Sequence, residues 1–125
     1  SAKARPLYKE LWARAIDVAG GNTLSNVLSQ MKYGSAVSAC GLAESMDLPA
    51  SVAPFILRGI TLYGIDSVMV SIEKRQQAWS RLAQDLDRDL LERLSFDLNF
   101  NDLPQAASDI LDGKIRGRAI VKIPA

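Results

Sequence analysis

The chain has 125 residues, the size of a single domain with one hydrophobic core, and its 48% apolar content argues against disorder. Its 15 basic and 14 acidic residues nearly cancel, so the charge indicates neither a nucleic acid nor an anionic membrane as a partner. One cysteine excludes an intrachain disulfide and a cysteine-rich zinc site, and the absence of histidine removes the commonest metal ligand and catalytic base, so we expect no metal.

The apolar runs of the chain are too short to cross a membrane, since a spanning helix needs roughly 18 to 20 apolar residues. The first ten residues, SAKARPLYKE, lack the apolar core of a signal peptide. We therefore expect a cytoplasmic protein that does not enter a membrane.

The first half of the chain predicts a β–α–β unit followed by a third strand. Residues 12–18 (WARAIDV) form the first predicted strand, and residues 35–40 (SAVSAC) and 60–65 (ITLYGI) form the second and third. Residues 24–31 predict an amphipathic helix, because their apolar side chains recur at helical spacing. Gly34 is predicted to end that helix, since glycine reaches the left-handed conformation without a Cβ penalty. Strands joined by such a crossover are nearly always parallel, so we expect a parallel sheet.

The second half of the chain predicts helices and then a further β–α–β unit. Residues 71–86 form the clearest helix, and we expect its apolar stripe around Trp79 to lie in the core. A short helix over 85–93 follows. The remaining predicted elements are, in order, a half-exposed strand over 94–99, a helix over 103–111 and a strand over 118–123.

The turn after the second predicted strand, residues 40–43, is the first candidate for a ligand site, because ligands of parallel α/β sheets bind beyond the carboxyl ends of the strands. A purely structural role, a buried strand ended by glycine, is the alternative for the same residues. We expect Cys40 to be a small buried hydrophobe, since the sequence has no histidine or second cysteine to activate it. Asp17, at the end of the first strand, is expected to accept a hydrogen bond in a turn rather than to act as a catalyst.

Five separated motifs resemble those of one enzyme family. They are AIDVAG (15–20), ACGLA (39–43), PFILRGITLYGIDSVM (54–69), RQQAW (75–79) and GRAIVK (117–122). In order and spacing they are similar, along nearly the whole chain, to the C-terminal part of the medium-chain dehydrogenase/reductase superfamily. Within it the chain resembles the zinc-free quinone oxidoreductase-like branch, and specifically the acrylyl-CoA reductase group.

The resemblance implies an α/β fold made of the C-terminal half of a Rossmann-type parallel sheet, three strands with helices, plus a β-α-β return segment. Residues 1–86 are then the C-terminal half of a Rossmann-like nucleotide-binding domain and contain strands four, five and six of its sheet. Residues 87–125 return to the GroES-like catalytic domain. The family's G-x-G-x-x-G turn, which binds the cofactor pyrophosphate, does not occur in the 125 residues, so we expect a fragment that is inactive by itself.

By the same resemblance, the turns after the three strands contact the nicotinamide end of NADPH. The implied contacts are Val18, Ala19 and Gly20 after the first strand, Cys40, Gly41 and Leu42 after the second, Gly64, Ile65, Asp66 and Ser67 after the third, and Arg118 to the cofactor phosphates. Catalytic side chains stay unknown, because no general acid–base pair is visible and the cofactor supplies the hydride in this family.

Two functions are open. The resemblance implies an NADPH-dependent reductase of a small-molecule substrate, either an enoyl thioester such as acrylyl-CoA or a quinone, and we expect the fragment alone to bind NADPH weakly or not at all. The alternative is a cofactor-free α/β interaction module, because open strand edges at residues 12–18 and 60–65 are templates for pairing with another chain. We therefore expect a homo-oligomer paired through the sheet edges.

Overall fold

Two parallel β-sheets, one in each half of the chain, organise the fold. The computed structural model describes residues 5–124, whose contacts divide them into two units between Val70 and Ser71. The first unit contains β1 (Trp12–Asp17), α1 (Gly21–Ser29), β2 (Met31–Ala39), α2 (Ala53–Arg58) and β3 (Thr61–Gly64). The second contains α3 (Ile72–Asp85), α4 (Arg88–Leu94), β4 (Ser95–Asn99), a 3-10 turn (Phe100–Asp102), α5 (Leu103–Leu111) and β5 (Arg118–Lys122). The predicted α/β class with parallel strands is confirmed.

The division between the units comes before α3, whereas the predicted domain boundary at residue 86 falls between α3 and α4. Residues 1–4 of the first predicted domain and residue 125 of the second lie outside the described residues. The assignment of the two predicted segments to two domains of a longer enzyme stays a prediction.

The sheet of the first unit runs in the order β1-β2-β3, and both of its strand pairs are parallel. α1 connects β1 to β2, so the predicted β–α–β unit and the third strand are confirmed. Asp17 of β1 pairs with Ala39 of β2, which pairs in turn with Gly64 of β3. The carboxyl ends of the three strands therefore lie side by side, and the turns that follow them leave from one edge of the sheet.

β2 begins earlier than predicted, at Met31, and contains Gly34. α1 ends at Ser29, so the predictions that Met31 lies in the helix and that Gly34 ends it are wrong. The register between β1 and β2 shifts between Trp12 and Arg14, which marks a bulge, and Gly34 supplies a φ of +68° within the bulged strand. Helical spacing was misleading here because Met31 is fully buried in the strand, and a buried apolar residue fits either period.

α1 and the sheet of the first unit share a small apolar core. It consists of the buried side chains of Leu24, Leu28, Met31, Val37 and Ile60. Leu24 and Leu28 are one helical turn apart, which is why the amphipathic pattern predicted this face of α1. This core fixes α1 against the strands and, through them, the turns at the carboxyl edge.

Arg58, the last residue of α2, ties the segment before β1 to the rest of the first unit. Its guanidinium donates to the backbone oxygens of Ser29 (2.9 Å) and Met31 (3.1 Å). It also donates to the backbone oxygen of Tyr8 (2.5 Å), and its Nε lies 3.4 Å from the Glu10 carboxylate. The Arg58 side chain is only 13% exposed, and arginine suits this position because one fork of donors satisfies several carbonyls at once.

The second unit pairs β4 with β5 in parallel, and α5 connects them. Ser71 caps α3 by accepting a hydrogen bond from the Lys74 N–H (3.5 Å). Asp87 caps α4 in the same way, accepting from the Leu90 N–H (3.0 Å). The helices and strands predicted for this half are confirmed, with ends that differ by a few residues. Every helix within residues 5–124 is too short or too polar to cross a bilayer.

Trp79 lies on an exposed face of α3, and the prediction that its stripe is core is wrong. Trp79 is 69% exposed, and every residue of α3 is exposed. With Leu82 and Leu86 it lines a cleft of about 220 Å³ in the second unit. An apolar stripe identifies a helix face that is suited to burial, but it does not specify that the same unit covers it.

Candidate functional site

Three turns meet at the carboxyl edge of the first sheet, as the sequence predicted. Backbone hydrogen bonds connect them. The Cys40 N–H donates to the backbone oxygen of Asp17 (2.9 Å), and the Ile65 N–H donates to the backbone oxygen of Ala39 (2.9 Å). Each bond continues the sheet pairing one residue beyond a strand. The turns are therefore extensions of a rigid sheet.

The turns after β1 and β2 are joined by further backbone bonds. The Val18 oxygen accepts from the Ala43 N–H (3.2 Å), and the Ala19 oxygen accepts from the Glu44 N–H (2.8 Å) and the Ser45 N–H (3.3 Å). These bonds place Val18 and Ala19 directly behind the turn that follows β2.

Two glycines make this close approach possible. A Cβ added at Gly41 would lie 2.5 Å from the Val18 oxygen, closer than any side chain can come. A Cβ at Gly20 would collide with the Ser45 oxygen, and Gly20 also has a φ of +71°, which disfavours other residues. Both glycines are thus required by the packing of one turn against the other.

Asp17 accepts a hydrogen bond in its turn, as predicted. The residue is 4% exposed, and its Oδ2 accepts a hydrogen bond from the Gly20 N–H at 2.9 Å. The carboxylate closes the turn that leads from β1 into α1.

A pocket of about 490 Å³ opens at this edge, between the ends of β2 and β3. Its lining residues are Ala39, Cys40, Gly41, Leu42, Gly64, Ile65, Asp66, Ser67 and Val68. All seven residues predicted from the turns after the second and third strands are among them. The structure thus brings two of the predicted contact turns together around one space.

Val18, Ala19 and Gly20 lie behind this pocket rather than in its lining, and their predicted contact with a cofactor stays a prediction. Arg118 begins β5 in the second unit, so its predicted contact with the phosphates also stays a prediction.

Ala39 and Val68 are lining residues that the sequence reasoning missed. Both belong to motifs that had been recognised, ACGLA and GIDSVM. The available signal was therefore adjacency in sequence to the residues that were named.

Cys40 is exposed, which contradicts the expectation that it is buried. β2 ends at Ala39, so Cys40 is the first residue of the turn and lies on the pocket wall instead of inside the strand. Its thiol sulfur lies 3.5 Å from the backbone oxygen of Asp17, to which it can donate a hydrogen bond.

Asp66 shapes the turn after β3. Its Oδ1 accepts hydrogen bonds from the Val68 N–H (2.8 Å) and the Met69 N–H (3.0 Å). The carboxylate thus closes the turn by binding the backbone of the residues that follow it.

Gly64, one residue before Ile65, has open space beside it: an added Cβ would meet no atom of the described chain within 4 Å. Gly64 therefore borders open space, whereas Gly41 is packed against the Val18 backbone.

The side chains of this site are poorly suited to metal binding or acid–base work. Within residues 5–124 no group of three or more Asp, Glu, Cys and His side chains could hold a metal ion. What the pocket offers is small residues, backbone groups and a few apolar side chains. Such a lining can hold and orient a flat organic group.

No protein-family model matches the chain, but curated relatives do. The chain is 49% identical over 121 residues to an acrylyl-CoA reductase of Ruegeria pomeroyi, an alignment that covers 97% of this chain and 37% of that protein. It is 41% identical over 120 residues to YhfP of Bacillus subtilis, which is provisionally named a quinone oxidoreductase, and there the coverage is 95% and 36%. The chain thus spans a little over a third of the length of the curated relatives it matches.

Solved structures of bacterial proteins are also similar to the chain. The crystal structure of the YhdH oxidoreductase of Salmonella enterica in complex with NADP is similar with a TM-score of 0.89 and 45% identity, covering 98% of this chain and 38% of that one. The structure of Bacillus subtilis YhfP with NAD bound gives a TM-score of 0.84 at 39% identity, covering 97% and 37%. The resemblance predicted from the five motifs is confirmed, and so is the fold class.

Proposed function

We propose, from the sequence similarity to acrylyl-CoA reductases, that the chain holds the nicotinamide end of NADPH in a reductase of small molecules. The intact enzyme reduces the carbon–carbon double bond of an enoyl thioester such as acrylyl-CoA and works in the cytoplasm. The observation that carries the proposal is the pocket, in which two turns predicted to contact the cofactor line one space at the carboxyl edge of a parallel sheet.

The residues of the pocket fit a nicotinamide. Gly64 lines the pocket without a side chain, and Gly41 lets its turn pack closely against the Val18 backbone behind the pocket. Main-chain N–H and C=O groups can then reach a flat carboxamide, since small residues allow close approach of the backbone. Leu42 and Ile65 supply apolar surface for the ring.

The chain's own contribution to the reaction is binding and orientation. NADPH supplies the hydride when it is bound. The turns at residues 40–42 and 64–67 would hold the nicotinamide ring, and the sheet beneath them fixes their spacing. Orientation of this kind raises the rate because it removes the entropic cost of aligning the reactants.

Two points of specificity separate the candidate activities. The relatives include both an acrylyl-CoA reductase and a protein provisionally named a quinone oxidoreductase, and the similar structures hold NADP in one case and NAD in the other. The proposed pair is NADPH with an enoyl thioester, because identity is higher to the acrylyl-CoA reductase and to the NADP complex.

The test is an activity assay on the full-length protein that contains this chain. NADPH or NADH oxidation is followed by absorbance with acrylyl-CoA and with a benzoquinone as acceptors. Faster turnover with NADPH and acrylyl-CoA supports the proposal. Turnover with the quinone alone would instead support a quinone reductase. No oxidation of either cofactor with either acceptor would refute the reductase function.

A second candidate role is pairing between copies. β1 and β3 are the edge strands of the first sheet, and unpaired strand edges are templates for pairing. We infer a homo-oligomer paired through one or both edges, in addition to the reductase function. Light scattering on the full-length protein tests this, and a monomer at the highest soluble concentration would exclude it.

A further inference from the structure

Asp17 connects two of the turns at the carboxyl edge through two different groups. Its backbone oxygen accepts from the Cys40 N–H (2.9 Å), at the start of the turn that lines the pocket. Its carboxylate Oδ2 accepts from the Gly20 N–H (2.9 Å), at the end of the turn behind the pocket. The residue is 4% exposed, so this carboxylate lies inside the protein.

The Gly20 N–H needs this acceptor. Gly20 adopts a φ of 71° and a ψ of −153°, and it precedes the first residue of α1, so its N–H points back into the turn and away from the helix. Its own oxygen accepts from the Leu24 N–H (3.0 Å) and begins the helical hydrogen bonds. A buried N–H left without a partner is costly, and the backbone relaxes to find another one.

Movement of Gly20 reaches the pocket wall through direct contacts. Gly20 packs so closely on the Ser45 oxygen that an added Cβ would collide with it, and the two residues form a β-bridge. Ser45 in turn donates its N–H to the Ala19 oxygen (3.3 Å). Displacement of the first turn therefore displaces the second, whose residues 40–42 line the pocket.

We propose that Asp17 is a positioning residue for the cofactor: it sets the spacing of the two turns and acts through Gly20 and Cys40 without touching the ligand. This inference rests on the proposed function. It also makes a prediction about the protein alone, because the hydrogen bonds of Asp17 exist without a cofactor.

The experiment compares four variants of the full-length protein by their dissociation constant for NADPH. Asp17→Ala removes the acceptor, and we expect the constant to rise by about tenfold, because binding must then restore the spacing of the turns at a cost comparable with the lost hydrogen bond. Asp17→Asn keeps an amide oxygen at the same distance, and we expect a rise of less than about threefold. Asp112→Asn is the matched surface control. The Asp112 side chain is 57% exposed, and among the described ion pairs it forms one, with Lys114 of the second unit.

The fourth variant separates positioning from loss of stability. Val37→Ala truncates a fully buried core residue of β2 that does not line the pocket, so it lowers Tm and leaves the dissociation constant unchanged. If Asp17→Ala does not fold, Asp17→Glu replaces it, because the carboxylate is kept but displaced by one methylene. A rise of severalfold for Asp17→Glu supports the proposal.

Hydrogen exchange without cofactor distinguishes the two proposals. We expect Asp17→Ala to accelerate exchange about tenfold or more in peptides covering residues 18–21 and 40–45, with Asp17→Asn close to wild type. If the wild-type protein binds no NADPH while this pattern appears, the cofactor function fails and the coupling of the turns stands. Unchanged exchange in these peptides, or a dissociation constant that Val37→Ala raises as much as Asp17→Ala does, would overturn the positioning role.

Discussion

A methyl group added at Gly41 or at Gly64 probes the same pocket in two different ways. At Gly41 the new Cβ would lie 2.5 Å from the Val18 oxygen and 3.0 Å from the Val18 carbonyl carbon and Cα. At Gly64 it would meet no atom of the described chain within 4 Å, and Gly64 is not among the glycines with positive φ. Gly41→Ala therefore forces two turns apart, whereas Gly64→Ala adds a methyl group in open space at a residue that lines the pocket.

The two substitutions have different expected effects on the free energy of unfolding. At Gly41 the displaced backbone carries the bonds from Cys40 to Asp17 and from Ala43 to Val18. Overpacking and weakened hydrogen bonds each cost about 1–3 kcal/mol, so we expect a loss of about 2–6 kcal/mol. At Gly64 we expect a gain of less than about 1 kcal/mol, because alanine reduces the entropy of the unfolded chain and meets no clash.

The assay combines urea unfolding with fluorescence titration of NADPH, both on the full-length protein. Gly41→Ala should lower the unfolding midpoint and weaken NADPH binding together. Gly64→Ala should leave the midpoint unchanged or raised and still weaken NADPH binding by about tenfold, because the methyl group occupies space proposed for the ring. Gly64→Val, with a larger side chain at the same place, should weaken it further.

Two results would refute the reasoning. Wild-type stability of Gly41→Ala would mean that the turns do not approach as closely as their geometry indicates. Wild-type NADPH affinity of Gly64→Val would mean that the cofactor does not fill this pocket, and it would favour the interaction module instead.

Three further substitutions test single contacts. Arg58→Met removes the donor to three backbone oxygens, and we expect urea unfolding to show a loss of about 2–3 kcal/mol, with wild-type stability contradicting the role of the guanidinium. Asp66→Ala frees two backbone amides of the turn after β3, so NADPH binding should weaken severalfold by titration while Asp66→Asn stays near wild type. The backbone amide of Glu73 and the Ser71 hydroxyl both hold the pKa of Glu73 below its usual value. Ser71→Ala should therefore raise that pKa, and an NMR titration that shows no change would exclude the hydroxyl as a cause.

The sequence correctly predicted those features that depend only on residues close together in the chain. Residues 12–18 and 60–65 are predicted as strands, the second from its β-favouring side chains, and β1 and β3 lie within them. Asp17 is expected to accept a hydrogen bond in a turn because it ends a strand, and it does so. These features depend on neighbours within a few residues, which the sequence displays directly.

The predictions failed where burial decided the outcome. Met31 fits a helical spacing, but the bulge at Gly34 and the core beneath β2 place it in the strand. Cys40 and Trp79 are apolar in character, yet both are exposed in the described chain. Burial depends on which distant elements pack on a residue, and periodicity carries no information about that.

The sequence by itself determined which turns form the candidate site, because parallel strands bring their carboxyl ends to one edge and the motifs mark those ends. It also determined that glycines occupy the turns. Only the tertiary structure decided what each glycine does: Gly41 lies against the Val18 backbone, and Gly64 borders open space. The reason is that the partner of each glycine comes from another strand, and the distance between two turns is set by the register of the sheet between them.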